Sequence, residues 1–200
     1  MATERGRADV VARRRDWFKN RQPVIAAAPA RVVFIDETSV NTKMVRLRGR
    51  ARDGQRLKGS APFGHWVSQT FIAGLRCNGI TAPWVVDGAM DRPAFDTYIE
   101  HVLAPTLNKG DVVILDNLVV HKSPKAAQAL KARGAWFLFL PPYSPDLNPI
   151  EMAFSKLKAL LRKAQARNFD DLFKALGDIC AQFSETECWN FFKAAGCVSC

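Results

Sequence analysis

The sequence predicts an α/β fold, a mixed five-stranded sheet flanked by helices, and three observations carry that expectation. Three strand-like runs follow one another in the first half of the chain: RVVFID at 31–36, HWVSQTFIAGLR at 65–76 and ITAPWVV at 80–86. After Gly88, helical and strand-like patterns alternate, as crossover units require. The run DVVILD at 111–116 lacks polar alternation, as expected of a strand covered on both faces. Three consecutive strands followed by two crossovers make a sheet of mixed direction.

The elements can be justified in order. Residues 5–22 are rich in arginine and read as a basic helical arm ending at Pro23, with an Ala/Pro linker up to residue 30. Residues 46–64 mix basic side chains with glycines and read as a flexible cationic hairpin. Cys77-Asn78-Gly79 joins the second and third strands as a hairpin turn. Asp91 caps a helix with Phe95, Ile99, Val102 and Leu103 on one face, and Ser123-Pro124 starts another that stops at Gly134. WFLFL at 136–140 is the last strand. Three helices close the chain. The first has Asn148 as N-cap, Pro149 in its first turn, and a buried stripe of Ile150, Phe154, Leu157 and Leu161. The second starts at Asn168 with Phe169, Leu172, Phe173, Leu176, Ile179 and Phe183 inward, and the third opens on the capping box SETE at Ser184. Trp66, Trp84 and Trp136 fall in strand-like runs and are expected in the core.

Composition bounds the function. With 48% apolar and 24% charged residues over 200 positions, the chain reads as one ordinary globular domain. A net charge of +10 suits a polyanionic partner, nucleic acid ahead of an anionic membrane surface. No stretch reaches the roughly 18 consecutive apolar residues of a membrane helix, and the arginine-rich start lacks the apolar run of a signal peptide, so a cytoplasmic protein is expected. The five cysteines are expected as free thiols, since Cys197 and Cys200 lack two further ligands for a structural zinc site.

Three carboxylates stand at element ends. Asp36 ends the first strand, Asp116 ends the strand after the first crossover, and Glu151 opens the helix after the last strand. Side chains at adjacent strand ends of an open sheet converge on one point. Glu151 shares its helix face with Ser155, Lys158 and Arg162, an acid followed by a basic rail. Taken singly, each acid also has a structural reading: a glutamate in a first helical turn favours the dipole, and an aspartate at a strand end forms turns. Glu37, Asp87 and Asp146 compete for the same roles, although Glu37 is expected on the opposite face of its strand.

VVFIDET around Asp36, VVILDNLVVHK with Asp116 and His121, and LPPYSPDLNPIEMAFSKLKALLRK with Glu151 resemble the three motifs of the bacterial insertion-sequence branch of the Tc/mariner superfamily of DDE transposases. The 34 residues between Asp116 and Glu151 agree with that branch, and the resemblance runs from about residue 31 to about 195. It implies a ribonuclease-H-like fold with a catalytic domain at 31–196, which leaves the basic arm and linker at 1–30 and a tail at 197–200. It also implies cleavage at transposon ends followed by joining to target DNA. By motif position Asp36, Asp116 and Glu151 become the metal-binding catalytic triad for two Mg2+ or Mn2+ ions, with Asn117 and His121 as accessory residues. Asn117 to His121 reads NLVVH where the family pattern has a small residue in the middle, so the local turn is expected to differ.

Two hard cations on oxygen ligands would activate the attacking oxygen and stabilise the departing one. Without metal, at least one of three converging carboxyls should have a raised pKa. Arg46, Arg48, Arg50, Arg52, Arg56 and Lys58 in the cationic hairpin, with Lys156, Lys158, Arg162 and Lys163, are the candidate DNA contacts. The resemblance also implies a homodimer on DNA and a location beside the bacterial nucleoid. Helix-turn-helix modules are expected ahead of such a catalytic domain, and few residues precede Asp36. The chain therefore reads as the downstream product of a split reading frame, with a helix-turn-helix partner chain, or as a truncated copy. An inactive DNA-binding remnant and a ribonuclease-H-like nuclease without strand transfer are the alternatives.

Overall fold

A computed structural model describes residues 3–45, 52–56 and 68–198. The sheet has five strands, β1 (Val32–Asn41), β2 (Ser68–Arg76), β3 (Gly79–Asp87), β4 (Val112–Leu115) and β5 (Trp136–Phe139), in the order β3-β2-β1-β4-β5. The three consecutive strands pair antiparallel, and β4 and β5 add in parallel. The mixed sheet expected from the order of patterns is therefore the sheet observed. Residues 65–67 of the second strand run lie outside the described residues.

Alternation along β1 divides the core. Val33 and Ile35 face a layer made of helix α3 (Arg92–Thr97), its π-helical continuation Tyr98–Leu103, and α4 (Pro124–Ala132). Val32 and Phe34 face the other layer, made of α5 (Ile150–Ala164), α6 (Phe169–Cys180) and α7 (Glu185–Ala194). Phe34 meets Phe192 edge-on with ring centroids 5.4 Å apart, and Phe71 meets Phe154 at 5.8 Å, so aromatic pairs fasten this second layer to the sheet.

Several helix starts follow the expected chemistry. Asp91, Ser123, Asn168 and Ser184 each accept a hydrogen bond from the backbone N–H three residues ahead, and Ser184 with Glu187 completes the capping box.

The N-terminal segment departs from expectation. Helix α1 (Ala8–Asp16), a π-helical turn at Trp17–Arg21 and α2 (Gln22–Ala27) follow one another, and Pro23 falls in the first turn of α2 rather than ending a helix. Proline lacks only an N–H that a first turn leaves unpaired in any case. Trp17 and Ile25 are buried in the same layer as α5. Two further expectations fail. Phe169 and Phe173 stack on each other at the surface, 47% and 58% exposed, because the buried stripe of α6 is only Leu172, Leu176 and Ile179. Trp136 is 53% exposed because β5 is an edge strand, whereas Trp84 is partly buried and stacks on Tyr98; Trp66 lies outside the described residues.

The other edge, β3, is irregular. Ala82 and Pro83 together face Ala73 across a bulge, with Ala82 at a φ of 49°.

Candidate active site

β1 does not end at Asp36; it runs on to Asn41 in its hairpin with β2. What stops there is the neighbour. The parallel ladder ends with Phe34 opposite Ile114, and β4 leaves the sheet after Leu115. The same register continued sets Asp36 beside Asp116, so one flank of β1 opens just where its carboxylate stands. Glu151 is the second residue of α5, carried back to this opening by the loop 140–149. Asp36, Asp116 and Glu151 line one cleft of about 430 Å³, together with Asn117, Leu118, Tyr143 and Asn148. A larger groove beside α4 and β5 contains none of the three carboxylates.

Each carboxylate is held differently. Asp36 accepts from the Glu37 backbone N–H at 2.8 Å on Oδ1 and from Asn148 Nδ2 at 2.9 Å on Oδ2. Burial pushes its pKa up to about 7; the Glu37 N–H opposes this, and the charges of Glu37, Glu151 and Asp116 add to the rise. Asp116 Oδ1 lies 2.7 Å from His121 Nδ1 and 3.2 Å from the Leu118 N–H. Glu151 is exposed on the first turn of its helix.

His121 is 2% exposed and stands between two acids, with Nε2 3.2 Å from Glu37 Oε2. Glu37 points to the opposite face of β1 from Asp36, as alternation requires, and meets His121 there. Burial pulls the imidazole pKa down, but the hydrogen bonds to Asp116 and Glu37 outweigh it and raise the value to about 9. A carboxylate on each ring nitrogen makes both nitrogens donors, so this histidine is an imidazolium that fixes Asp116. Its ring packs on Phe95 with centroids 4.7 Å apart.

Asn148 is not the N-cap of α5. Pro149 occupies that position without a side-chain bond, and the Asn148 amide, 3% exposed, is spent on Asp36. Its Oδ1 is buried without a partner among the described residues. The residue type and its place just ahead of Glu151 were the available signal, but they pointed equally to a cap.

Two of the competing acids, Glu37 and Asp146, have other partners. Asp146 is gripped by Arg14, whose two terminal nitrogens reach Oδ1 at 3.0 Å and Oδ2 at 2.8 Å, and by Arg5 at 2.8 Å. Burial alone would raise its pKa, yet the two arginines hold it below the usual carboxylate value. Arg14 also donates to Ser144 Oγ at 2.7 Å, so the N-terminal helix clasps the loop that delivers Glu151. Asp87 is exposed at the end of edge strand β3.

Of the candidate DNA contacts, Arg46, Arg48, Arg50 and Lys58 lie outside the described residues. Arg52, Arg56 and Lys163 are exposed, and Lys158 and Arg162 are half-buried. Lys156 pairs with Glu187 at 2.6 Å and sits over the Phe183 ring at 4.5 Å, so its ammonium has partners between α5 and α7.

Among the described residues no group of three His, Cys, Asp or Glu side chains is drawn close enough to hold an ion as it stands. The donor set nevertheless suits a hard divalent cation. It offers carboxylate oxygens from three elements, one of them with a pKa raised by burial and by negative neighbours.

The solved structures with similar architecture define the fold. The Mos1 strand transfer complex superposes with a TM-score of 0.69 at 16% identity, covering 95% of this chain and 60% of that one. The catalytic domain of Mos1 mariner transposase gives 0.60 at 12%, covering 93% and 83%. The fold is therefore ribonuclease-H-like. Residues 31–173 match the family described as DDE superfamily endonuclease, and the chain belongs to that family. The Tcb2 transposase of Caenorhabditis briggsae is 30% identical over 98 residues, covering 47% of this chain and 36% of that protein. The chain thus spans about a third of the length of this curated relative.

Proposed function

We propose that this chain is the catalytic domain of a metal-dependent transposase that cleaves phosphodiester bonds at transposon DNA ends and joins them to target DNA. Asp36, Asp116 and Glu151 form its triad and hold two Mg2+ or Mn2+ ions. The observation that carries this reading is that three segments far apart in sequence bring these carboxylates to one cleft in a DDE superfamily endonuclease. Mos1 paired-end complexes with Mg and with Mn support the choice of metal. The Asp116 to Glu151 interval supports the bacterial insertion-sequence branch, and a location beside the nucleoid goes with it.

When bound, divalent ions activate the attacking water or 3′-hydroxyl and stabilise the departing oxygen. The chain's own residues prepare the ligands. Asn148 and the Glu37 N–H each occupy one lone pair on an Asp36 oxygen, which fixes the plane of the carboxylate and leaves one lone pair on each oxygen. His121 holds Asp116 by Oδ1, and Oδ2 has no hydrogen bond among the described residues. Lys158, Arg162 and Lys163, further along the helix that Glu151 opens, are placed to follow a phosphate backbone. The enzyme acts as a homodimer, since two ends are joined, and takes its sequence specificity from helix-turn-helix modules, on a partner chain or elsewhere.

Asp36→Asn, Asp116→Asn and Glu151→Gln are each expected to abolish Mn2+-dependent cleavage of end-containing DNA while the protein still folds by circular dichroism. Near-wild-type cleavage in any one of them removes that residue from the triad. Cleavage by the wild type with no joined strands among the products would make the protein a nuclease only.

A further inference from the structure

Tyr143 stands in the middle of the proline-rich turn that forms one wall of the cleft, and three features set it apart. Its φ is +55°, the left-handed region that a bulky side chain rarely occupies. The residue is 47% exposed and lines the same cleft as Asp36, Asp116 and Glu151. The residues around it hold the turn firmly. Ser144 Oγ donates to the Pro142 carbonyl at 3.1 Å and accepts from Arg14, and Asp146 is tied to Arg14 and Arg5. A strained backbone braced from outside, displaying an aromatic ring to solvent, gains nothing for the core; strain of this kind persists where surrounding structure over-determines it. Leu118, 47% exposed, brings a second apolar side chain to the same cleft from the turn after Asp116.

We propose that Tyr143 is a base-stacking residue, its ring receiving an unstacked nucleobase next to the phosphate that the three carboxylates address. This rests on the endonuclease reading above. A ring face accepts any base, so the contact grips DNA without reading its sequence, and it does so only where a strand is frayed, flapped or distorted. Phosphate contacts along α5 set the path of the strand, while Tyr143 sets which nucleotide stops at the carboxylates.

The test uses a duplex with a single-stranded flap, carrying 2-aminopurine on either side of the junction phosphate, in Ca2+ so that binding is read without cleavage. Wild type and Tyr143→Phe should quench the probe on one side of the junction. Tyr143→Ala should leave it bright and weaken binding roughly ten- to a hundredfold. Tyr143→Gly should also leave it bright while melting at or above the wild-type temperature, because glycine relieves the positive φ; this separates lost stacking from lost folding. On DNA with an abasic position at that nucleotide, wild type and Tyr143→Ala should bind equally. Quenching by Tyr143→Ala, a penalty that persists on abasic DNA, or no quenching by the wild type overturns the proposal. A protein that quenches but never cleaves in Mn2+ sinks the endonuclease reading and leaves the stacking site standing.

Discussion

Asp36 keeps its proton up to about pH 7 in the metal-free protein, and the sign of the consequence is fixed. The folded state binds that proton more tightly than the unfolded chain does. The stabilisation is therefore present at acid pH and is lost as pH climbs from about 4 to about 7. The shift corresponds to at most about 4 kcal/mol, less whatever water in the cleft relieves. His121 acts in the same direction at higher pH: its raised pKa adds stability below about 6.5 that disappears as pH rises through about 9. Melting in EDTA should accordingly fall from pH 4 to pH 9. Asp36→Asn should flatten the lower part of that slope and His121→Gln the upper part; an unchanged slope in both variants would remove this account. Asn148→Ala should cost about 10- to 100-fold in activity and raise the divalent-ion concentration needed for half-maximal cleavage, as loss of a ligand's hydrogen-bonded support does. The three carboxylates were legible in the sequence because their residue types and spacing do not depend on packing detail. The partners of Asp36 and Asp116 were less so. An asparagine ahead of a helix looks like a cap whether or not its amide is used elsewhere, and only the tertiary fold brings residue 37 to residue 121.

The clasp between α1 and the loop 140–149 joins segments more than a hundred positions apart and holds the start of α5 in place. Arg14 is 11% exposed at its side chain and makes three hydrogen bonds across this contact. Arg14→Ala should cost about 1–3 kcal/mol in denaturant unfolding, as expected for charge-assisted bonds in a shielded place. Arg5→Ala, more exposed at 28%, should cost less than about 1 kcal/mol. Equal effects would show that shielding does not distinguish the two. The caps at Asp91, Ser123, Asn168 and Ser184 could be read from sequence because each acts within one turn of chain. The packing of the N-terminal helices could not, since a stretch so rich in arginine shows only a weak apolar stripe, and Trp17 and Ile25 belong to different helical segments. The outward turn of Phe169 and Phe173 escaped for a related reason: α6 has more apolar side chains than the face it buries can accommodate.

Across the molecule, the net charge of +10 divides into cations with internal partners and cations open to a polyanion. Lys158→Ala, Arg162→Ala and Lys163→Ala should each weaken DNA binding and lower the slope of log K against log salt by roughly one. Lys156→Ala should leave that slope unchanged, because its ammonium is already engaged with Glu187. Filter binding across a salt series distinguishes the two groups, and a Lys156 effect equal to the others would restore it to the DNA surface. The mixed character of the sheet was legible because strand runs, hairpin signal and crossovers leave few topologies open; its strand order was not.

The two outer strands of that sheet carry a further implication. β5 spans only four residues, and β3 is broken by Ala82 and the N–H-less Pro83. A foreign polypeptide seeking to zip onto either margin finds too few consecutive amides to template upon, so neither edge is a ready seed for fibrillation.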